Sequence, residues 1–302
     1  MNEFIEQLKY KEVGSIIENV PAANYTTYKV GGIIRVLVKP KSVKELIIVL
    51  KLCQIYKIKK LILGNGSNLL FSDNLYNGIV IKLDYLDSLT VTGTKLVVGS
   101  GYPLMKLSLF ASKKSLTGLE FAAGIPGTVG GAVYMNAGAY KSDMGYIVKS
   151  VKVLTPEYKV INMVNRELDF HYRTSYFKTH KDYIILDATL RLKKGNRVLI
   201  EEVMKERKLR RLESQPLEYP SAGSVFRNPD NLYAGKMIED LGLKGLTKGG
   251  AQISNKHANF IINLGGAKAT DIKDLIDLVK QAVLDNYNIT LKVEQELINW
   301  EK

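Results

Sequence analysis

The stretch FAAGIPGTVGGAVYMNAGAY, residues 121–140, decides the fold of this chain. It holds five glycines, at positions 124, 127, 130, 131 and 138, and alanines fill most of the gaps between them. Residues this small let the backbone turn where no Cβ fits, or approach a large flat group closely. Successive free N–H groups in such a turn bind anions, and a diphosphate is a natural occupant. Taken alone, the glycines favour a tightly packed structural loop over an anion site.

A second glycine turn, within LGNGSNLL at residues 63–70, changes that balance. The apolar run Leu61–Leu63 predicts a short buried strand, and GNGSN predicts the turn that ends it. The turn begins like the dinucleotide fingerprint G-x-G-x-x-G, but its sixth position is Leu69 and no amphipathic helix follows directly. Two separate glycine turns that face one diphosphate therefore explain the sequence better than a single Rossmann turn.

Five motifs, in order, resemble those of the UDP-N-acetylenolpyruvoylglucosamine reductase (MurB) family. They are NYTTYKVGG (residues 24–32), LGNGSNLL, GIPGTVGGAVYMNAGAY, YRTSYFK (172–178) and PSAGSVFRNP (220–229). The resemblance runs from Asn24 to Glu296 and implies an α+β fold. The implied parts are a two-lobed FAD-binding region of the vanillyl-alcohol-oxidase or p-cresol-methylhydroxylase type and a C-terminal α+β substrate domain. The predicted domains are 1–86 and 87–198 for the lobes and 199–302 for the substrate domain, whose last few residues can return to the first lobe.

The resemblance also implies a reaction. In this family NADPH reduces FAD, and the flavin gives a hydride to an enolpyruvyl ether on a UDP-sugar, which forms UDP-N-acetylmuramate for peptidoglycan precursor synthesis. The pattern assigns Arg173 to stabilise the enolate-like intermediate through its carboxylate. It assigns Ser224 as the proton donor. A C-terminal glutamate assists; the match of VEQEL (293–297) is looser, so Glu296 is expected and Glu294 stays an alternative.

Further binding residues follow from the same resemblance. FAD is expected to be non-covalent, because neither glycine turn contains histidine or cysteine. The expected FAD-binding residues are mostly small or polar: Tyr28, Gly31, Gly64, Asn65, Gly66, Ser67, Asn68, Gly124, Ile125, Pro126, Gly127, Thr128, Gly130, Gly131, Asn136, Ala137 and Gly138. The expected substrate-binding residues are Tyr172, Arg227, Lys236, Gln252 and Asn259. The chain lacks the tyrosine-bearing loop that longer members carry over the substrate, and thus resembles the shorter, type II form.

The pattern of charges favours a solvated helix face over a nucleic-acid site. The chain has 302 residues, 43 basic and 30 acidic, for a net charge of +13. A basic balance suits nucleic acid, but the densest patch, KERKLRR (205–211), lies among glutamates on a helix-like stretch and lacks interleaved aromatic residues. A net basic charge also suits a substrate with several phosphates. No apolar run is long enough to span a membrane, and no signal peptide is expected. With Cys53 as the one cysteine, no intrachain disulfide forms and a cytoplasmic location is expected.

Other chemistries find no support. His171, His180 and His257 are too far apart for metal-ligand spacing, and neither a G-x-S-x-G elbow nor a Walker loop is present. Two alternative functions remain open: a sugar or lactone oxidase of the same flavin fold, and a basic nucleic-acid-binding protein. Taken singly, Arg173, Ser224 and Glu296 also fit a surface ion pair, a turn serine and a solvent-facing strand residue.

Periodicity and capping patterns predict the remaining elements. Residues 42–45, SVKE, form a capping box before a helix whose apolar positions include Cys53, so this thiol is expected in the core. Residues 184–192 alternate as a half-buried strand does. Pro103 and Thr270 are expected to open helices. The other expected elements are a helical lead-in over 1–23, helices near 199–213 and 233–241, and a final strand over 290–298.

Overall fold

The computed structural model describes residues 1–300 and divides the chain into two compact units. The first unit comprises Met1–Glu18, Val36–Asn65 and Asn77–Leu209, and the second comprises Asn19–Arg35, Gly66–Tyr76 and the chain from Arg210 onward. The three predicted domains stay a prediction, and the end of the third domain lies outside the described residues. The mixture of helices and strands is that of an α+β fold, as predicted.

The described helices are α1 (Asn2–Tyr10), α2 (Val43–Ile55), α3 (Leu104–Lys113), α4 (Val129–Met135), α5 (Met144–Ile147), α6 (Arg197–Ser214), α7 (Ala234–Asp240) and α8 (Ala269–Tyr287). The first nine described strands are β1 (Ser15–Pro21), β2 (Ile33–Lys39), β3 (Lys60–Leu63), β4 (Leu69–Phe71), β5 (Tyr76–Lys82), β6 (Leu89–Thr92), β7 (Lys95–Gly99), β8 (Leu116–Thr117) and β9 (Gly138–Ala139). The other nine are β10 (Ser142–Asp143), β11 (Val148–Leu154), β12 (Val160–Val164), β13 (Ile184–Arg191), β14 (Lys193–Lys194), β15 (Thr247–Lys248), β16 (Ala251–Ile253), β17 (Ile261–Asn263) and β18 (Glu296–Ile298).

The first sheet has the strand order β1-β2-β5-β3, and β3 and β5 run parallel with Leu63 opposite Lys82. Helix α2 covers it and begins as predicted, because the Ser42 hydroxyl accepts a hydrogen bond from the Glu45 N–H at 3.2 Å. Cys53 is buried in the apolar core that α2 forms with α1 and these strands, which confirms the predicted core thiol. Burial raises the pKa of Cys53 to about 12, so the thiol is not a nucleophile near neutral pH.

The second sheet, β12-β11-β13-β7-β6, is antiparallel throughout. Its strand β13 alternates largely as predicted, and helices α3 and α4 pack with the sheet in one apolar core. Helix α3 follows Pro103, as expected. Helix α4 occupies the middle of the glycine-rich stretch, where the sequence predicted only a loop. The prediction missed this helix because glycine and alanine give no amphipathic pattern.

In the second unit, the small sheet β15-β16-β17 packs with α7 and α8, and β18 pairs in parallel with β4. The prediction that Thr270 caps α8 was wrong. Helix α8 begins at Ala269, so Thr270 lies inside the helix. The Asp73 carboxylate accepts hydrogen bonds from the N–H groups of Ala269 and Thr270 at 2.9 Å each. A cap from nearly 200 residues away leaves no local sequence signal.

The predicted helical lead-in over residues 1–23 was wrong in its second half. Helix α1 ends at Tyr10 and strand β1 takes Ser15–Pro21. The predicted final strand is shorter than expected, because β18 covers Glu296–Ile298 and Val293 forms only an isolated bridge with Phe226. Between Lys178 and β13 the chain passes into the strand without an added loop, as the sequence predicts.

Candidate active site

The two glycine turns contact each other within the first unit. The Asn65 side-chain amide donates to the Pro126 carbonyl at 2.7 Å. A Cβ built on Gly64 would stand 2.7 Å from the Thr128 hydroxyl, so only glycine fits this approach. The two predicted turns therefore meet at Gly64 and Asn65 against Pro126–Thr128, and their common diphosphate stays a prediction.

The N–H groups of the second turn are used differently from our expectation. The Gly127 N–H donates to the Ile125 carbonyl at 2.9 Å, and the Gly130 N–H donates to the Ser100 carbonyl at 2.8 Å. The expectation that both are free for an anion was wrong, because the loop closes on itself and α4 packs on the chain after β7. By contrast, the N–H groups of Asn65 and Thr128 donate to no acceptor among residues 1–300. Two unpartnered donors beside Gly64 fit a diphosphate.

A buried lysine holds the first turn from inside the unit. The Lys82 side chain is only 8% exposed, and its ammonium donates to the Gly64 carbonyl at 2.5 Å. It also pairs with Asp84 at 3.3 Å, and Asp84 pairs with Lys39 at 2.9 Å. Burial lowers the pKa of Lys82, and the Asp84 carboxylate opposes that shift.

Arg173 lies at the tip of a tight hairpin in the first unit. His171 and Thr174 exchange N–H···O bonds of 3.1 Å across the turn, and Arg173 has a φ of 55°. Its guanidinium donates to the Gly138 carbonyl at 2.9 Å and lies 5.1 Å from the ring centre of Tyr172, which is exposed. A left-handed conformation at a bulky residue costs about 1–2 kcal/mol and is common at functional sites.

Asn136 fastens this hairpin to the glycine-rich stretch. Its side-chain amide donates to the His171 carbonyl at 2.9 Å, and its side-chain oxygen accepts the Gly145 N–H at 2.9 Å. Asn136 itself is buried and left-handed, with a φ of 43°, where it ends α4. Both polar groups of its side chain are therefore bonded within the protein. The other predicted FAD-binding residues of this unit lie in the same loop, in α4 or just after it: Gly124, Ile125, Gly131, Ala137 and Gly138.

In the second unit, the segment that carries Ser224 lies beside the C-terminal glutamates. The Glu294 N–H donates to the Val225 carbonyl at 2.8 Å, and the Arg227 N–H donates to the Lys292 carbonyl at 2.9 Å. Together with the antiparallel Phe226–Val293 bridge, this register places Ser224 opposite Gln295. Gln295 stands between the two candidate glutamates in the sequence. Glu296 then begins β18, and its N–H donates to the Asn68 carbonyl at 2.9 Å.

Gln295 supports the turn before Ser224 and was missed by our sequence reasoning. It is buried; its side-chain amide donates to the carbonyls of Ala222 and Gly223, at 3.3 and 3.4 Å. Its side-chain oxygen accepts the Tyr28 hydroxyl at 3.1 Å. Tyr28 is fully buried, and that burial raises its pKa and keeps the hydroxyl a donor. Tyr28, predicted to bind FAD, is thus bonded to the support of the Ser224 turn.

Asn259 holds the next part of the same segment. Its side-chain oxygen accepts the Phe226 N–H at 2.9 Å, and its amide donates to the Phe226 carbonyl at 2.8 Å. Its own carbonyl accepts the Val225 N–H at 2.9 Å. A buried asparagine with both polar groups on one backbone residue holds that segment rather than a substrate. The side chains of Lys236 and Gln252 also have partners, in Asp240 and in Gly245 with Thr247.

The remaining predicted residues of the second unit lie near residues 25–32 and 66–71. A Cβ on Gly66 would stand 2.1 Å from the Tyr25 carbonyl, and one on Gly31 would stand 2.8 Å from the Cβ of Phe71. Asn68 donates to the Glu294 carbonyl at 3.1 Å, and Ser67 is half-buried. One observation nearby fits a ligand: the hydroxyl of Thr27 is buried and has no hydrogen-bond partner among residues 1–300.

Known proteins match this chain along its whole length. Residues 34–163 match a family model described as "FAD binding domain", and residues 215–298 match "UDP-N-acetylenolpyruvoylglucosamine reductase, C-terminal domain". The UDP-N-acetylenolpyruvoylglucosamine reductases of Anoxybacillus flavithermus and Bacillus subtilis are 46% and 44% identical over 299 residues, with 99% of each chain covered. The chain belongs to the UDP-N-acetylenolpyruvoylglucosamine reductase family.

A solved structure of the family agrees. The crystal structure of UDP-N-acetylenolpyruvylglucosamine reductase (MurB) from Thermus caldophilus matches with a TM-score of 0.80 and 34% identity, over 92% of this chain and 97% of that one. The predicted family and fold class are thereby confirmed. In the described part of the chain, residues 1–300, no helix is long and apolar enough to cross a membrane, and no group of His, Cys, Asp or Glu forms a metal site.

Proposed function

We propose that this chain is an FAD-dependent reductase that converts UDP-N-acetylglucosamine enolpyruvate into UDP-N-acetylmuramate, with NADPH as the hydride donor. The observation that carries the proposal is full-length identity of 42–46% to curated reductases of this one name. We further propose that the enzyme works in the cytoplasm on this small-molecule UDP-sugar and supplies peptidoglycan precursor synthesis.

The FAD diphosphate is held where the two glycine turns meet. Asn65 and Thr128 offer backbone N–H groups without acceptors in the described chain, and Gly64 leaves room beside the Thr128 hydroxyl. We assign the other predicted FAD-binding residues to the same cofactor. Gly127 and Gly130 act by shaping the loop. Tyr28 and Asn136 act by holding neighbouring backbone in place. When bound, FAD supplies the hydride that reduces the enolpyruvyl double bond.

Arg173 stabilises the charge that develops on the substrate. A hydride that arrives at the terminal carbon leaves an electron pair on the next carbon and its carboxylate. A guanidinium stays charged at any working pH and grips a carboxylate through two N–H groups. The hairpin and the bond to Gly138 hold the Arg173 guanidinium in one place, so little reorganisation is needed during the reaction.

Ser224 donates the proton that completes the reduction. Gln295 holds the carbonyls before it and Asn259 holds Phe226 after it, so the hydroxyl sits on a short segment fixed on both sides. We assign Glu296 to the step that stabilises the enolate, with Glu294 as the alternative, because both lie beside this segment. Tyr172, Arg227, Lys236 and Gln252 are the proposed contacts to the UDP-sugar, and Asn259 acts by positioning.

Stopped-flow absorbance separates the two half-reactions and tests these roles. In Arg173→Ala, we expect NADPH to reduce the flavin at nearly the parental rate, while reoxidation by the enolpyruvyl substrate slows about 100-fold to 1,000-fold. Arg166→Ala, an exposed arginine of the same unit, is the matched control and should change neither rate. A parental reoxidation rate in Arg173→Ala would remove Arg173 from the mechanism. A reoxidation defect in Glu294→Gln but not in Glu296→Gln would assign the stabilising role to Glu294 instead of Glu296.

A further inference from the structure

The buried ammonium of Lys82 has no role in the reaction described above. It lies at the end of β5, beside the end of β3, with its Nζ 2.5 Å from the Gly64 carbonyl. The chain neighbours of Lys82, Ile81 and Leu83, pack in the core with α2, so strand alternation directs Lys82 to the opposite face of the sheet. The Lys82 side chain is only 8% exposed, so its charge is costly to bury, and the Asp84 carboxylate offsets only part of that cost.

The geometry of one peptide links this lysine to the anion donors. The Gly64 carbonyl and the Asn65 N–H belong to the same peptide group, and in a trans peptide they point in opposite directions. The ammonium that grips the carbonyl therefore turns the N–H away from Lys82. The positive charge of the ammonium beside the carbonyl oxygen also polarises the peptide group and makes its N–H a stronger donor. This N–H has no acceptor among residues 1–300, and the Asn65 side chain fixes the same residue to Pro126.

We propose that Lys82 is a positioning residue for the cofactor: its ammonium orients and polarises the Gly64–Asn65 peptide so that the Asn65 N–H donates to the diphosphate of FAD. The inference rests on the FAD site of the proposed function and adds a residue to which that function gives no role. It differs from a purely structural role, because a brace for the turn would stabilise the protein equally with and without FAD.

The test compares Lys82→Met and Lys82→Gln with Lys39→Met, a control that pairs with the same Asp84. FAD is removed from the full-length protein, and its dissociation constant is measured on reconstitution by quenching of flavin fluorescence. We expect both Lys82 variants to bind FAD about tenfold to a hundredfold more weakly, and Lys39→Met to stay within about twofold of the parent. The rise in melting temperature on addition of FAD should shrink in the Lys82 variants alone.

Competition shows which part of FAD is affected. ADP, which carries the diphosphate, should compete with FAD less well in the Lys82 variants by a similar factor, whereas adenosine should compete as it does in the parent. Parental FAD affinity in either Lys82 variant overturns the inference, as does an equal loss for ADP and adenosine. Because Lys82→Gln is polar, it serves if Lys82→Met does not fold. A parent that binds no FAD would overturn the proposed function as well, whereas parental binding with silent variants overturns this inference only.

Discussion

At the scale of single residues, buried amide side chains hold the backbone beside the residues that we propose to take part in the reaction. Gln295 and Asn259 are buried and bond backbone groups on either side of Ser224. Asn136 does the same for the hairpin that carries Arg173. Because an unpaired buried amide is costly, such residues fix the backbone strongly.

The first prediction concerns Ser224. A serine hydroxyl is a weak acid, but a carboxylate-stabilised carbanion is a strong base, so the proton transfer is feasible, and an uncharged donor adds no second negative charge. Positioned proton transfer is worth about 100-fold to 10,000-fold, so Ser224→Ala should lower turnover by at least the smaller figure. FAD binding and flavin reduction by NADPH should persist. Steady-state NADPH oxidation with the enolpyruvyl substrate measures the effect.

Two variants control that experiment. Ser224→Cys should recover part of the activity, because a thiol still donates a proton. Ser221→Ala, three residues earlier, should be nearly silent. Turnover near the parental rate in Ser224→Ala would show that another group donates the proton.

Asn259→Ala tests the support of the same segment. The change leaves the buried N–H and carbonyl of Phe226 unpaired, at about 1–3 kcal/mol each, so the free energy of unfolding should fall measurably in urea. Turnover should fall with it, because Ser224 lies two residues away. Asn255→Ala, an exposed asparagine four residues earlier, should change the free energy of unfolding by less than about 0.5 kcal/mol. Equal stability of the two variants would contradict the clamp.

The amino-acid sequence predicts site residues, but it does not show which contacts those residues make. Motif order predicted Arg173, Ser224 and Asn259 as site residues. The partner of the Asn259 side chain is Phe226, 33 positions away, and that of Tyr28 is Gln295, 267 positions away. No local pattern contains such pairings, so Asn259 was expected to bind substrate, and Gln295 and Lys82 were not expected at all.

At the scale of elements, helix α4 inside the glycine-rich stretch changes the meaning of its glycines. A Cβ on Gly130 would stand 2.8 Å from the Cβ of Ser100, because α4 packs directly on the chain after β7. The next residue, Gly131, is exposed, and its Cβ would meet the Thr128 hydroxyl only at 3.5 Å. Periodicity analysis missed this helix because small residues leave no amphipathic pattern, whereas the alternation of β13 and the cap of α2 were plain in the sequence.

These two adjacent glycines make a matched pair. Gly130→Ala should lower the free energy of unfolding by about 1–3 kcal/mol through overpacking. Gly131→Ala should be neutral, or stabilising by up to about 1 kcal/mol, because alanine favours a helix. Thermal unfolding of both variants after removal of FAD measures the difference, because both glycines are also assigned to the cofactor. Equal melting temperatures would contradict the close packing of α4.

At the scale of the whole molecule, the net charge of +13 on its own pointed towards nucleic acid as readily as towards a phosphorylated sugar. The basic residues are spread over the chain rather than gathered in one segment. Family membership decides between these interpretations: reductases of one name match 99% of the chain. Composition alone could not decide between them, because a net charge does not show where the charges lie.

The most direct test of the central claim is the anaerobic visible spectrum of the purified chain through one cycle. The protein should show the absorption of oxidised flavin, lose it when NADPH is added, and regain it when UDP-N-acetylglucosamine enolpyruvate is added, with UDP-N-acetylmuramate as the product. Acid should release the flavin into the supernatant as intact FAD. A colourless protein that takes up no FAD, or a reduced flavin that only oxygen reoxidises, would contradict the account.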